Sequence, residues 1–251
     1  MVKIFRLTGV KKTRQICQTI MQNTKNKFKH IAYTILPKDL VDIVLIVKRN
    51  ITDKRVEKEK CKINQTVIQS LLKSEQPIKV ELGSGKRPGM EDWNSIDLGS
   101  DSDIQIDLSL PLPFPDNCVT KIYSSHLLEH FSYPKPMTDL LEECYRILKP
   151  GGVFSVAVPN AKIYLDAYFS SEEFEYKKYC VHDAGLTFKS RIEYVNYIAY
   201  MGGHHRHMFD EENLVIILSD VGFKNVRIRQ FDPSIDVESR RYETIYAEGI
   251  K

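Results

Sequence analysis

Apolar residues recur along the chain in two different periods, which predict helices in some segments and strands in others. Residues 13–36 carry apolar side chains on one face at steps of one, three and four, and Pro37 ends that pattern. The segment Val153–Val158 is apolar except at Ser155, as expected for a strand covered on both faces. The predicted helices cover 13–36, 63–73, 138–149 and 211–221, and the predicted strands cover 78–82, 94–98, 104–108, 119–123, 153–158, 226–231 and 244–248.

The ends of two predicted helices carry characteristic residues. Pro150-Gly151-Gly152 should stop the helix over 138–149. Asp210 should cap the helix over 211–221, and Gly222 should end it. Because strands alternate with helices from residue 78 onward, the sequence predicts an α/β fold.

Charge divides the chain into two parts. Residues 1–62 hold 16 Lys and Arg against 5 Asp and Glu, whereas the rest of the chain is acidic and the total is only +3. The segment 48–62 is so charged that it predicts either a solvated linker or an exposed helix. We therefore expect a basic accessory segment over 1–62, which is helical, and a main domain over 63–251.

Composition excludes several classes of protein. The longest apolar runs, such as Ile43–Val47, are far shorter than the roughly 18–20 residues that cross a bilayer. The first residues lack the apolar stretch of a signal peptide. The five cysteines form no CxxC pair, so neither a zinc site nor a disulfide framework is indicated. A reducing cytoplasm is the simplest location.

The strongest local motif is Val80-Glu81-Leu82-Gly83-Ser84-Gly85, in which a strand runs into glycines that allow a ligand close to the backbone. Gly83, Gly85 and Gly89 nearly form a dinucleotide fingerprint. That fingerprint should open a helix and be followed by an acidic residue about 20 positions later. Here Pro88 breaks the helix and Asp97 comes only twelve residues after Gly85, so dinucleotide binding is disfavoured.

With the segments that follow, the sequence resembles the class I S-adenosylmethionine-dependent methyltransferases, in particular the small bacterial-type (type 11-like) subgroup. The resemblance covers about Lys79 to Glu248. The matching segments are ELGSG (81–85), SIDLG (95–99), IQIDLSLPLPFPDN (104–117), IYSSHLLEH (122–130), LLEECYRILKPGGVFSVAVPN (140–160) and FDEENLVIILSDVGFKNVRI (209–228).

The resemblance implies a Rossmann-like, seven-stranded, mostly parallel sheet with helices on both faces, and S-adenosylmethionine as the cofactor. Asp97 would bind the ribose hydroxyls, and Asp107 the adenine amino group. Leu98 and Leu108 would flank the adenine ring. The implied cofactor-binding residues are Glu81, Gly83, Ser84, Gly85, Asp97, Leu98, Asp107, Leu108, Ser124 and Ser125.

One departure from the family concerns the cover of the sheet. Asp97 comes only twelve residues after Gly85, which leaves no room for the usual first helix, and a proline-rich loop follows Asp107. We therefore expect one face near the cofactor to be thinly covered, with either the N-terminal segment or a partner filling the gap.

Histidines are the predicted catalytic residues. A hydroxyl acceptor needs a base, and histidine suits that task near neutral pH. The candidates are His126, His204 and His205, whereas His130 and His207 are assigned structural roles. The run His204-His205-Arg206-His207 has no carboxylate or thiol at a recognisable spacing, so no metal site is predicted.

Aromatic residues concentrate between 163 and 200, within a predicted substrate cap over 160–205. They would either contact a ring-shaped acceptor or pack an added pair of helices. The expected reaction is O-methylation of a sugar, glycan or other small hydroxyl. The alternatives are N-methylation of RNA or a small amine, and a non-catalytic cofactor-binding subunit.

Partners beyond the acceptor depend on the basic N-terminal segment. It could dock on the main domain, pair with its copy in a homodimer, or lie on an anionic membrane surface as a peripheral contact. Nucleic acid is a less favoured partner, because the segment after the fourth strand, Ser124-Ser125-His126-Leu127, differs from the usual motif of base-amine methyltransferases.

Overall fold

The computed structural model describes residues 38–251, apart from 86–89 and 100. The helix predicted over 13–36 and the partner predictions that depend on it lie outside the described residues. The chain divides into two compact units, residues 1–60 and 61–251. None of the helices in the described part is long and apolar enough to span a membrane.

The first described element is a long helix, α1 (Lys38–Lys73), of 36 residues. The sequence predicts an apolar stretch, a linker or exposed helix, and a separate helix over 63–73 in this region. These are one continuous helix, because no proline or glycine interrupts this segment. Most of its described side chains are exposed, and Ile68 is buried in the core of the second unit.

Seven strands form one sheet in the order β3-β2-β1-β4-β5-β7-β6. All neighbouring pairs are parallel except those of β7, which runs antiparallel to β5 and β6. The predicted mostly parallel, Rossmann-like sheet is confirmed. The strands are β1 (Lys79–Leu82), β2 (Asn94–Asp97), β3 (Ile104–Gln105), β4 (Val119–Ser125), β5 (Leu148–Pro159), β6 (Lys224–Ile228) and β7 (Thr244–Ile250).

Five further helices lie in the chain between β4 and β6. Residues 140, 141, 144 and 147 of α2 are buried, as the helical period predicted. They share one core with residues of α1, α6 and the sheet. The helices are α2 (Met137–Ile147), α3 (Ala161–Phe169), α4 (Tyr176–Tyr179), α5 (Ile192–Tyr200) and α6 (Glu211–Val221), with 3₁₀ turns at Leu128–His130, Met201–Gly203 and Glu238–Arg240.

Several strand boundaries differ from the prediction: the fourth strand ends at Ser125, the sixth covers Lys224–Ile228 instead of 226–231, the seventh ends at Ile250, and the fifth and third differ most in length. The fifth strand begins at Leu148 rather than Val153, so the preceding helix ends at Ile147 and Pro150-Gly151-Gly152 belongs to the strand. Pairing explains this, because Leu148 lies beside Val119, and Gly151 and Gly152 exchange backbone hydrogen bonds with Lys251. The third strand ends at Gln105, three residues earlier than expected.

A side chain of α1 completes this short edge strand. The Asn64 amide donates to the Gln105 carbonyl at 2.8 Å and accepts from the Gln105 N–H at 3.0 Å. An unpaired strand edge exposes backbone groups that need partners. Asn64 therefore satisfies part of the sheet edge where β3 has no neighbouring strand.

Residues 161–201 form a second, smaller core. Tyr164 and Tyr197 are buried there with Ala161 and Ile198. Most aromatic side chains of this segment pack on one another, which matches the expected packing of added helices. Phe169 and Tyr200 differ, since they are 80% and 62% exposed.

The cap of α6 supplies a test of local stability. The Asp210 side chain accepts a hydrogen bond from the Asn213 N–H at 2.8 Å, and Gly222 ends the helix with φ of 115°. We expect Asp210→Ala to lower the free energy of unfolding by about 1 kcal/mol, because an N–H of the first turn loses its acceptor. Urea denaturation measures this loss. Asp210→Asn should keep most of the stability, and equal losses in both variants would contradict the capping role.

Candidate functional site

The predicted site residues follow strands that are neighbours in the sheet. β1, β4 and β5 are parallel, and Leu82 lies beside Ser124 in the register of β1 and β4. The His126 N–H donates to the Ala157 carbonyl at 2.9 Å. The carboxyl ends of parallel strands meet at one edge, which is where open α/β sheets bind ligands. The loops after β1, β2 and β4 therefore gather at one edge.

The glycine loop after β1 has a backbone that favours glycine. Gly83 and Gly85 have φ of 69° and 62°. A Cβ on Gly83 would lie 2.8 Å from Leu127 Cδ1, whereas a Cβ on Gly85 would meet no atom of the described residues within 4 Å. Gly83 therefore lets the loop pack closely against the segment after β4, and Gly85 has space beside it among the described residues.

This contrast gives a matched pair of variants. We expect Gly83→Ala to destabilise the fold by about 1–3 kcal/mol, because it adds a clash with Leu127 to an unfavourable φ. Gly85→Ala should cost about 1 kcal/mol, since it adds only the backbone strain. Chemical denaturation of both proteins measures the difference. Equal losses would show that the Leu127 contact does not restrict residue 83.

Asp97 fixes the glycine loop to the end of β2. Its Oδ2 accepts from the Gly85 N–H at 3.0 Å, and its Oδ1 accepts from the Gly99 N–H at 2.8 Å. The side chain is half-buried, and each carboxylate oxygen has a further lone pair. Leu98, the next residue, is 65% exposed. This arrangement offers a carboxylate to vicinal hydroxyls and an apolar surface beside it.

Asp107 lies in a turn two residues beyond β3. The sequence predicted it within the strand, so its position is corrected here. Its Oδ1 accepts from the backbone N–H and the hydroxyl of Ser109. These two bonds lower the pKa of Asp107, so it is ionised at neutral pH. The side chain is exposed, whereas that of Leu108 is buried in the core.

The other predicted cofactor residues are buried polar groups at the same edge: Glu81, Ser84, Ser124 and Ser125. The Ser124 hydroxyl is fully buried and has no hydrogen-bond partner among the described residues. A buried polar group without a partner is costly, and a ligand at this edge would supply one. The positive φ of the glycine loop, the Asp97 carboxylate and the unpartnered Ser124 hydroxyl thus fit S-adenosylmethionine.

Comparison with known families agrees with this geometry. Residues 81–156 match the model of a family described as a methyltransferase domain. That match spans β1 to β5, including the glycine loop, Asp97 and Asp107. Residues 81–156 therefore carry a methyltransferase domain. Its cofactor is S-adenosylmethionine, and its activity is methyl transfer.

Solved structures with a similar arrangement include methyltransferases of low sequence identity. One from Archaeoglobus fulgidus is 16% identical over 78% of this chain and 94% of its own, with a TM-score of 0.43. A Thermotoga maritima protein described as a possible histamine N-methyltransferase is 15% identical over 82% and 98%, with a TM-score of 0.42. Phosphoethanolamine N-methyltransferase 2 of Haemonchus contortus is 10% identical over 75% and 52%, with a TM-score of 0.40. No protein of curated function matches the chain in sequence.

His126 of the methyltransferase follows Ser125 with φ of 50°. Its Nε2 lies 2.8 Å from Thr244 Oγ1, and that hydroxyl donates its only proton to the Arg240 carbonyl at 2.6 Å. Nε2 must therefore carry the imidazole proton, and Nδ1 keeps the lone pair. Burial and nearby Arg240 hold the pKa of His126 well below its usual range, so the ring is neutral at pH 7.

The other two candidate histidines lie on the segment before α6. His204 is exposed, whereas His205 is buried and its Nδ1 lies 2.7 Å from the Ile198 carbonyl. The backbone N–H groups of Arg206 and His207 donate to the Glu129 carbonyl. The segment 204–207 is therefore held against the turn that follows His126.

Glu129 is the residue that sequence reasoning missed. It is buried, and its Oε1 lies 3.7 Å from His126 Nδ1 and 4.0 Å from His130 Nε2. Burial raises the pKa of Glu129 to about 8. The available signal was an acidic residue beside His130 in a segment that also holds Leu127, Leu128 and Phe131. His207, in contrast, bonds Asn213 through Nε2, which agrees with a structural role.

Proposed function

We propose that this methyltransferase methylates a hydroxyl group of a sugar, a glycan or another small acceptor. The observation that supports this proposal is the state of the His126 ring. Thr244 fixes Nε2 as a donor, and Nδ1 is left as an acceptor. Such a ring can take a proton. A hydroxyl acceptor needs that help, because its own pKa is far above neutrality.

The residues of this chain would divide the work as follows. When bound, S-adenosylmethionine supplies an electrophilic methyl group attached to a sulfonium. Asp97 and the glycine loop hold the cofactor so that donor and acceptor are aligned, which is a large part of catalysis for a displacement. His126 receives the acceptor proton on Nδ1 while its Nε2–H continues to donate to Thr244 Oγ1.

The acceptor class is supported by the position of the aromatic segment. Helix α3 begins at Ala161, two residues after the carboxyl end of β5, and Asn160 between them caps the helix. The segment therefore leaves the sheet from the edge that carries the cofactor site. Phe169 and Tyr200 expose aromatic faces, which suit a ring-shaped acceptor bearing polar groups.

A turnover screen tests this proposal. The full chain is incubated with S-adenosylmethionine labelled in the methyl group and with nucleotide sugars, oligosaccharides, phenols, small amines or RNA in turn. We expect label in a methyl ether of a sugar or phenol. A labelled amine or labelled RNA would contradict the hydroxyl proposal. Intact cofactor binding with no transfer to any acceptor class would favour a non-catalytic subunit.

A further inference from the structure

Three potential metal ligands meet beside the turn after β4. One ligand atom each from Glu129, His130 and His205 lies within 4.8 Å of the others. Glu129 and His130 are adjacent in the chain, and His205 comes from the segment before α6. We propose that these three residues bind a divalent transition-metal ion such as Zn²⁺. This inference does not depend on which acceptor the enzyme methylates.

The two imidazoles are already oriented for metal binding. His130 Nδ1 lies 3.0 Å from the His204 carbonyl, and His205 Nδ1 lies 2.7 Å from the Ile198 carbonyl. A carbonyl only accepts, so each Nδ1 carries the proton and each Nε2 keeps its lone pair. Metal-binding histidines almost always donate their second N–H in this way, which fixes the ring and its tautomer.

The carboxylate ligand is buried, and one of its two oxygens lacks a hydrogen bond. Glu129 Oε1 lies 4.0 Å from His130 Nε2, whereas Oε2 has no hydrogen bond among the described residues, although the side chain is nearly inaccessible. Its backbone carbonyl accepts from two N–H groups of the 204–207 segment, so its position is fixed relative to His205. A bound cation would supply both a ligand bond and an opposite charge to the buried Glu129 carboxylate.

Ligand types and spacing agree with zinc. Two histidines and a carboxylate form a known three-residue ligand set for Zn²⁺, which leaves a fourth position open. Tetrahedral bonds of about 2.1 Å place ligand atoms about 3.4 Å apart, so the set, whose atoms lie within 4.8 Å of one another, would contract by up to about 1.4 Å on binding the ion. The His130 side chain is 42% exposed and gives an ion a route from solvent.

The sequence concealed this site because its ligands are 75 positions apart. The run His204-His205-Arg206-His207 contains a single member of the set, and the carboxylate comes from the turn Leu128–His130. An ion there would join these two segments directly. It would lie beside His126, whose Nδ1 is 3.7 Å from Glu129 Oε1.

Zinc titration of the tag-free full chain tests the proposal. The protein is treated with a chelator, dialysed, and titrated with Zn²⁺ in a calorimeter, and Co²⁺ serves as a spectroscopic probe of coordination. We expect about one Zn²⁺ per chain. His130→Ala should weaken binding at least about tenfold, because one of the three protein ligands is lost. The exposed position of His130 makes this variant suitable for a folded comparison.

His207→Gln is the matched control, since this histidine lies on the same segment and its Nε2 bonds Asn213. It should bind Zn²⁺ as the unchanged protein does. His205→Gln, checked for folding by circular dichroism, should lose binding as His130→Ala does. No Zn²⁺ bound by the unchanged chain, or equal affinity in His130→Ala and His207→Gln, would overturn the proposal.

Discussion

Replacing Asp97 with alanine should weaken the binding of S-adenosylmethionine at least about tenfold. The carboxylate is half-buried at the end of β2, and both of its oxygens already accept backbone N–H groups. Each strong bond from a ribose hydroxyl to this charge contributes about 1.5–3 kcal/mol. A loss of 1.4 kcal/mol is a tenfold change in affinity. Isothermal titration of the variant with S-adenosylmethionine measures the effect.

The same substitution also removes the acceptor of the Gly85 N–H, so the glycine loop loses its attachment to β2. Asp97→Asn separates the two effects, since it keeps an acceptor but removes the charge. Asp101→Ala is the control, because it deletes an exposed carboxylate four residues away. Unchanged affinity in a folded Asp97→Ala protein would remove Asp97 from the cofactor site.

The sequence predicted the sheet because its signals are local. The run Val153–Val158 and the strand before Gly83 carry their periods within a few residues. The cap at Asp210 and the glycine at 222 likewise mark the bounds of α6 within one turn. These features depend on neighbours in the chain, and each was found without any knowledge of the fold.

Boundaries that depend on distant partners were predicted less well. β5 extends back to Leu148 because Val119 and Lys251 pair with its first residues. A helical period and a Pro-Gly-Gly sequence cannot reveal those partners. The short β3 likewise pairs with a side chain of α1, Asn64, which is about 40 residues away. Tertiary pairing overrides local pattern in both cases.

The candidate site likewise contains some residues that local motifs predicted and others whose role depends on tertiary contacts. Gly83, Gly85 and Asp97 belong to short motifs, and the structure brings them together after β1 and β2. The role of Glu129 follows only from burial and from the histidines that surround it in space. The tautomer of each histidine also depends on the tertiary structure, because a carbonyl or hydroxyl that is distant in the chain determines which ring nitrogen is protonated.

Replacing His126 with asparagine should lower the turnover number about 100- to 10,000-fold, the usual contribution of a general base. Asparagine tolerates the positive φ of this position, so the turn after β4 should be retained. It offers no group that can take a proton near neutral pH. Steady-state kinetics on the acceptor found in the screen measures the loss, and calorimetry should show nearly normal cofactor affinity.

Comparing the loss of turnover in His126→Asn with the loss in variants of other histidines identifies the base. His207→Gln should keep normal turnover, because its ring bonds Asn213 on α6. A slow His126→Asn enzyme with intact cofactor binding places the base on the turn after β4, where Nδ1 is the nitrogen without a proton. Full turnover in that variant would exclude His126. The exposed His204 would then be the next side chain to replace, since it lies on the adjoining segment.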